Sequence, residues 1–184
     1  MINNYTRKQF LIAGSVAAAG LLFRRLSQAQ PAGSAAPESA DNVPDFPEHD
    51  PQLDRARVKR FVVAGHFNLA AVKSMLAEEP RLINGAIDWG KGDFETALGG
   101  ASHMGRRDIA EFLLEHGARM DIFAATMLGK IDIVRAAVAA FPGIVHVPGP
   151  HGIPLIAHAE KGGAPAKPVL EFLRPLVAQA KRRP

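Results

Sequence analysis

The chain has 184 residues, 47% of them hydrophobic and 7% aromatic, with 22 basic and 18 acidic side chains and no cysteine. That length holds one domain with tails, and the lack of thiols excludes disulfides, thiolate metal sites and cysteine nucleophiles. One Trp and one Tyr are too few for a base-stacking platform. The excess of positive charge is local. Arg7, Lys8, Arg24 and Arg25 lie in a first stretch free of Asp and Glu, and without them the basic residues balance the acidic ones. A formally neutral body lacks the long-range field that drives non-specific nucleic-acid binding, so no nucleic-acid partner is expected.

Residues 1–29 read as an export signal. A basic start is followed by an apolar run from Phe10 to Phe23, and the small residues Ser27 and Ala29 precede a cut after Ala29. The run is shorter than the roughly 20 residues of a membrane-spanning helix. Thr6, Arg7, Phe10 and Leu11 match the twin-arginine export signal, which this segment resembles; Lys8 stands for the second Arg and Ile12 for the final Lys. The resemblance implies export of a folded chain to the periplasm or beyond. The alternative is an uncleaved signal that anchors the chain, and the membrane is expected to be touched only through this segment. Residues 30–53, with Pro31, Pro37, Pro44, Pro47 and Pro51, have few large apolar groups to bury and read as a flexible linker.

From residue 54 to 180 the chain repeats itself. Val72–Asn84 aligns with Val134–His146: each is a run with apolar positions three or four apart, stopped before a Pro and followed by an apolar pair. Between them lies Thr96-Ala97-Leu98-Gly99-Gly100-Ala101-Ser102-His103-Met104-Gly105, then Arg106 to Ala118 ending Leu113-Leu114-Glu115-His116-Gly117-Ala118. This stretch resembles the ankyrin repeat, T-P-L-H-x-A-A-x-x-G followed by a second helix ending L-L-x-x-G-A. Ala97 and Gly99 replace the pattern's Pro and His. Ile153 to Gly162 is a fourth copy in which Pro154, Leu155, Ala159 and Gly162 match, and a helix over about 168–179 closes the series. Residues 181–184 are a basic tail.

The resemblance implies an all-α ankyrin-repeat solenoid of about four repeats with short β-hairpin fingers. With Phe67, Gly105, Gly129 and Gly162 as equivalent turns, only the last step has the standard length of about 33. The long first step predicts an enlarged finger over about 85–95, and the short second step predicts that the third finger is missing. Four repeats meet the minimum of about three for a stable stack.

No catalytic constellation emerges. The histidines form no His-Glu-x-x-His and no i,i+4 helical pair, so His103, His116 and His158 are expected to bond neighbouring backbone, and His66 and His146 to sit in turns. No metal and no cofactor are expected, and the chain is not expected to be an enzyme. Ankyrin stacks are known for protein partners, which implies a non-enzymatic protein-binding module whose partner is unidentified. Trp89, Lys91, Asp93 and Phe94 of the enlarged finger, with His151 at the next turn, are the candidate contacts. The alternative is a small-ligand protein or enzyme that uses the notch of the missing finger, around Asp121, Thr126 and Lys130.

Overall fold

The structure, a computed structural model, describes residues 51–180, with side chains to 178. The export signal with Thr6, Arg7, Lys8, Phe10 and Leu11, most of the linker and the basic tail lie outside the described residues. The described part is mostly helical. Its elements run α1 (Arg55–Gly65), α2 (Leu69–Glu78), β1 (Ala86–Asp88), β2 (Phe94–Thr96), α3 (Ala97–Met104), α4 (Arg107–Glu115), α5 (Ile122–Met127), α6 (Ile131–Ala140), α7 (Leu155–Lys161) and α8 (Lys167–Ala180). None of these helices is long and apolar enough to cross a membrane.

Local chemistry sets the boundaries. The side chains of Asp54, Asn68, Thr96 and Asp121 accept hydrogen bonds from the backbone N–H groups of Arg57, Ala71, Gly99 and Ala124, which caps α1, α2, α3 and α5. The aligned segments end alike. After α2 and α6 one residue is extended (Glu79 at φ −140°, Phe141 at φ −135°), then Pro80 and Pro142 open five-residue 3-10 turns. A proline at that point has no N–H to continue the helix.

The odd-numbered helices pack in series, α1 on α3, α3 on α5 and α5 on α7, and each even-numbered helix packs on the odd one before it. Small side chains permit this. Ala97, Leu98, Gly99, Gly100, Ala101 and Ser102 are all buried in α3, and Ala124 to Met127 are buried in α5. A six-residue α5 lies between two apolar clusters. Ala124, Met127 and Leu128 join the cluster of α1 to α4, whereas Ala125, Ile122 and Phe123 join that of α6 to α8. The chain passes from Gly117 to α5 without a strand, while β1 and β2 project before α3.

The turn after α5 tests the closeness of this packing. Gly129 has φ +72°, and a Cβ there would meet the Pro165 carbonyl oxygen at 2.1 Å, whereas Gly117 has φ +93° and open space around it. Gly117→Ala is expected to cost only the left-handed penalty of roughly 1–2 kcal/mol. Gly129→Ala is expected to cost clearly more, because backbone must move as well. Urea denaturation of the two variants measures the difference; equal losses would mean that the α7–α8 turn does not press on Gly129.

Candidate functional site

The finger is an antiparallel ladder with Ile87 opposite Glu95, flanked by the Ala86–Thr96 and Asp88–Phe94 pairs. Side chains alternate across a strand, so one parity must face the stack. Ile87 and Glu95 take the inner side, 3% and 1% exposed, and that choice drives Phe94 outward, where it is 63% exposed. At the tip, Asp88 Oδ1 accepts from the N–H groups of Gly90 and Gly92, holding Lys91 at φ +58° with its side chain in solvent.

Four groups close around the buried Glu95 carboxylate. Trp89 Nε1–H donates to Oε2 at 2.8 Å and His103 Nε2–H donates to Oε1 at 2.9 Å. His66 Nε2 and His151 Nε2 stand 3.5 and 3.3 Å from Oε2. His66 ends α1, His103 lies in α3 and His151 in the turn before α7, so three separate helix pairs contribute. Two of the three rings are held from behind. His66 Nδ1–H donates to the Val62 carbonyl at 2.9 Å, and a Cβ on Gly100 would come within 2.6 Å of that ring, so only glycine leaves room for it. Asp93 clasps His151 twice, accepting from its backbone N–H and from Nδ1–H, each at 2.9 Å.

Burial would push the Glu95 carboxyl up, but the hydrogen bonds from His103 and Trp89 outweigh it, aided by His66 and His103 whenever those rings are protonated, so its pKa lies below the usual carboxylate value. The His151 backbone N–H is the largest cause holding Asp93 low as well. Both are therefore anions at neutral pH, and the site concentrates negative charge behind a ring of imidazoles.

The candidate contacts thus have different roles. Phe94 and Lys91 are exposed, Trp89 is 36% exposed with its indole N–H committed to Glu95, and Asp93 and His151 hold each other. His103 bonds the Glu95 side chain and not backbone, while His116 and His158 bond the Phe112 and Pro154 carbonyls. A groove of about 330 Å³ lies between the finger and the turn before α7, with Asp121 and Phe123 on its wall. The three residues expected there do not converge: Asp121 caps Ala124, Thr126 is buried and Lys130 begins α6. Sequence reasoning missed Glu95 and the meeting of three histidines. The available signal was an acidic residue at the strand parity opposite buried Ile87.

Glu95→Ala removes the acceptor of Trp89 and His103 from a buried position and is expected to cost on the order of 3 kcal/mol in urea denaturation. A loss below ~1 kcal/mol would show that the cluster does not hold the finger. A second test concerns His158, 1% exposed, whose pKa burial lowers from its ordinary 6.5. The unfolded chain takes up this proton first, so the stability contributed is whole above that value and is lost as the pH falls toward the lowered one. His158→Gln is expected to flatten stability against pH between ~6.5 and ~5, the range just below the ordinary histidine value; an unchanged slope would assign the dependence to other groups.

Comparison of the chain with protein-family models, with curated proteins and with solved structures finds no match, so what this site does is read from its geometry.

Proposed function

We propose that this chain is a non-enzymatic protein-binding module of ankyrin-repeat type, exported to the periplasm, which receives a protein partner along the finger and the exposed ends of its odd-numbered helices. The ankyrin reading is supported by the motif over Thr96–Ala118 and by helix pairs whose first members pack in series. The enlarged finger falls at the long step, and the direct passage into α5 falls at the short one.

One observation carries the binding role. Phe67 after α1 and Met104 at the end of α3, 60% and 47% exposed, line with Val63 and Trp89 a largely apolar groove of about 320 Å³. Phe94 stands exposed on the outer face of the same finger. Apolar groups gathered on one edge of a folded domain, with an aromatic held rigidly among them, are what a protein interface uses as anchors. Export rests on the first 29 residues alone, and mass spectrometry of the mature amino terminus tests it. A start at Gln30 is expected; a full-length chain in the membrane would replace export by anchoring.

A crosslinked pull-down from periplasm, with the tagged chain from Gln30 onward as bait, is expected to capture one dominant protein. Phe67→Ser combined with Met104→Ser, or Phe94→Ala combined with Lys91→Glu, is expected to reduce that capture at least tenfold, the effect of removing one or two interface anchors. Circular dichroism of both double variants should stay unchanged. Trp89→Ala is a poorer probe because it also strips a donor from Glu95. Undiminished capture by both double variants would move the interface off this edge.

A further inference from the structure

We propose that Glu95, His66, His103 and His151 form a binding site for one zinc ion, with the three histidine Nε2 atoms and a Glu95 carboxylate oxygen as its ligands. The proposal is independent of whether a protein docks on the finger.

The first argument is the direction of the lone pairs. A carbonyl or carboxylate oxygen can only accept, so the contacts of His66 Nδ1 with Val62 and of His151 Nδ1 with Asp93 fix a proton on each Nδ1. In a neutral imidazole the other nitrogen then carries a bare lone pair. Both bare Nε2 atoms face Glu95 Oε2, an anion, at 3.5 and 3.3 Å. A lone pair aimed at a carboxylate repels it, so each of these contacts needs either a second ring proton, as in the 3.3 Å hydrogen bond from His151 Nε2 to Oε2, or a metal ion standing among the ligands. Histidines that bind metal characteristically donate their second ring N–H to a carbonyl or carboxylate, and Val62 and Asp93 provide one of each.

Distances distinguish a metal from a shared proton. A charge-assisted N–H···O bond is about 2.7–2.9 Å long, and of the three imidazole contacts with Glu95 only that of His103, at 2.9 Å, is so short. Zinc bonds to His and carboxylate ligands are about 2.0–2.2 Å, which makes the edge of a ligand tetrahedron roughly 3.3–3.6 Å. The His66–His103 nitrogen separation is 3.2 Å, beside the 3.3 and 3.5 Å already given, and the four ligand atoms all lie within 4.8 Å of one another. To free His103 for the ion, the proton it holds against Glu95 leaves Nε2 and Nδ1 takes one up from solvent, so the ligand stays a neutral imidazole. Trp89 N–H stays as the donor that steadies the ligating carboxylate. Three neutral imidazoles and a nitrogen/oxygen donor set without thiolate suit zinc, and two positive charges balance Glu95 and Asp93.

Trp89 is the only tryptophan of the chain and touches the ligating carboxylate, so the site has an intrinsic reporter. Full-length chain stripped with EDTA is titrated with Zn²⁺ by calorimetry. In parallel it is titrated with Co²⁺, followed by visible absorption and Trp89 fluorescence. One equivalent is expected to bind, with intense tetrahedral cobalt bands, quenching of Trp89 and a raised thermal midpoint. His66→Gln, His103→Gln and His151→Gln are each expected to weaken binding at least tenfold, while His116→Gln and His146→Gln leave it unchanged. Glu95→Gln risks the fold, so the decision rests on His151→Gln, which replaces a side chain only half-buried. Absence of saturable one-equivalent uptake by the folded wild type, or uptake equally tight in the folded His151→Gln variant, would overturn the proposal.

Discussion

An ionised carboxylate costs several kcal/mol to remove from water unless donors and countercharges close around it. Glu95 is 1% exposed and has the donors. They arrive from Trp89 of its own finger and from His103 of α3, with His66 of α1 and His151 beyond α6 gathered beside them. A finger of two three-residue strands cannot hold itself in water. It is held here because its inner face carries one apolar residue, Ile87, and one charged residue that needs partners on other elements. The outward aromatic, the tip lysine and the groove beside Trp89 all take their positions from that anchored strand.

Close packing of the odd-numbered helices is the second condition. Gly65 lies so near α3 that a Cβ would meet the Ala97 carbonyl oxygen at 2.5 Å, and Gly100 leaves the space that the His66 ring fills. The same small residues that let the helices approach therefore also place an imidazole beside the carboxylate. Arg106 adds a tie from the next turn, pairing with Asp108 and donating to the Phe67 carbonyl, and so links two helix pairs.

What sequence made legible was whatever repeats along the chain. The aligned segments around Pro80 and Pro142, the glycine turns at Gly105 and Gly129, the hairpin of β1 and β2 and the strandless passage into α5 all follow from spacing, because each is fixed by residues within about ten positions. The site was not legible, for a physical reason. Its histidines come from three helix pairs and share no local motif, and they meet only through the packing of elements far apart in the chain. His103 and His151 look alike in sequence to His116 and His146, which face carbonyls or solvent. Trp89 serves both sides: its ring is part exposed, but its N–H is spent inward.

The strandless passage into α5 has one more effect. In a stack whose units touch only their neighbours, each end can fray alone, and stability is a sum of nearest-neighbour terms. Here α3 touches α7 directly across the short α5, and Asp93 grips His151, 58 residues away. The second and fourth helix pairs are thereby coupled past the third, which turns an open row into a closed ring of contacts. Unravelling from the carboxyl end has to break the α3–α7 contact before α7 can leave, and the Asp93 clasp before the turn behind it can, so α3 to α7 are expected to melt as one cooperative block and not pair by pair.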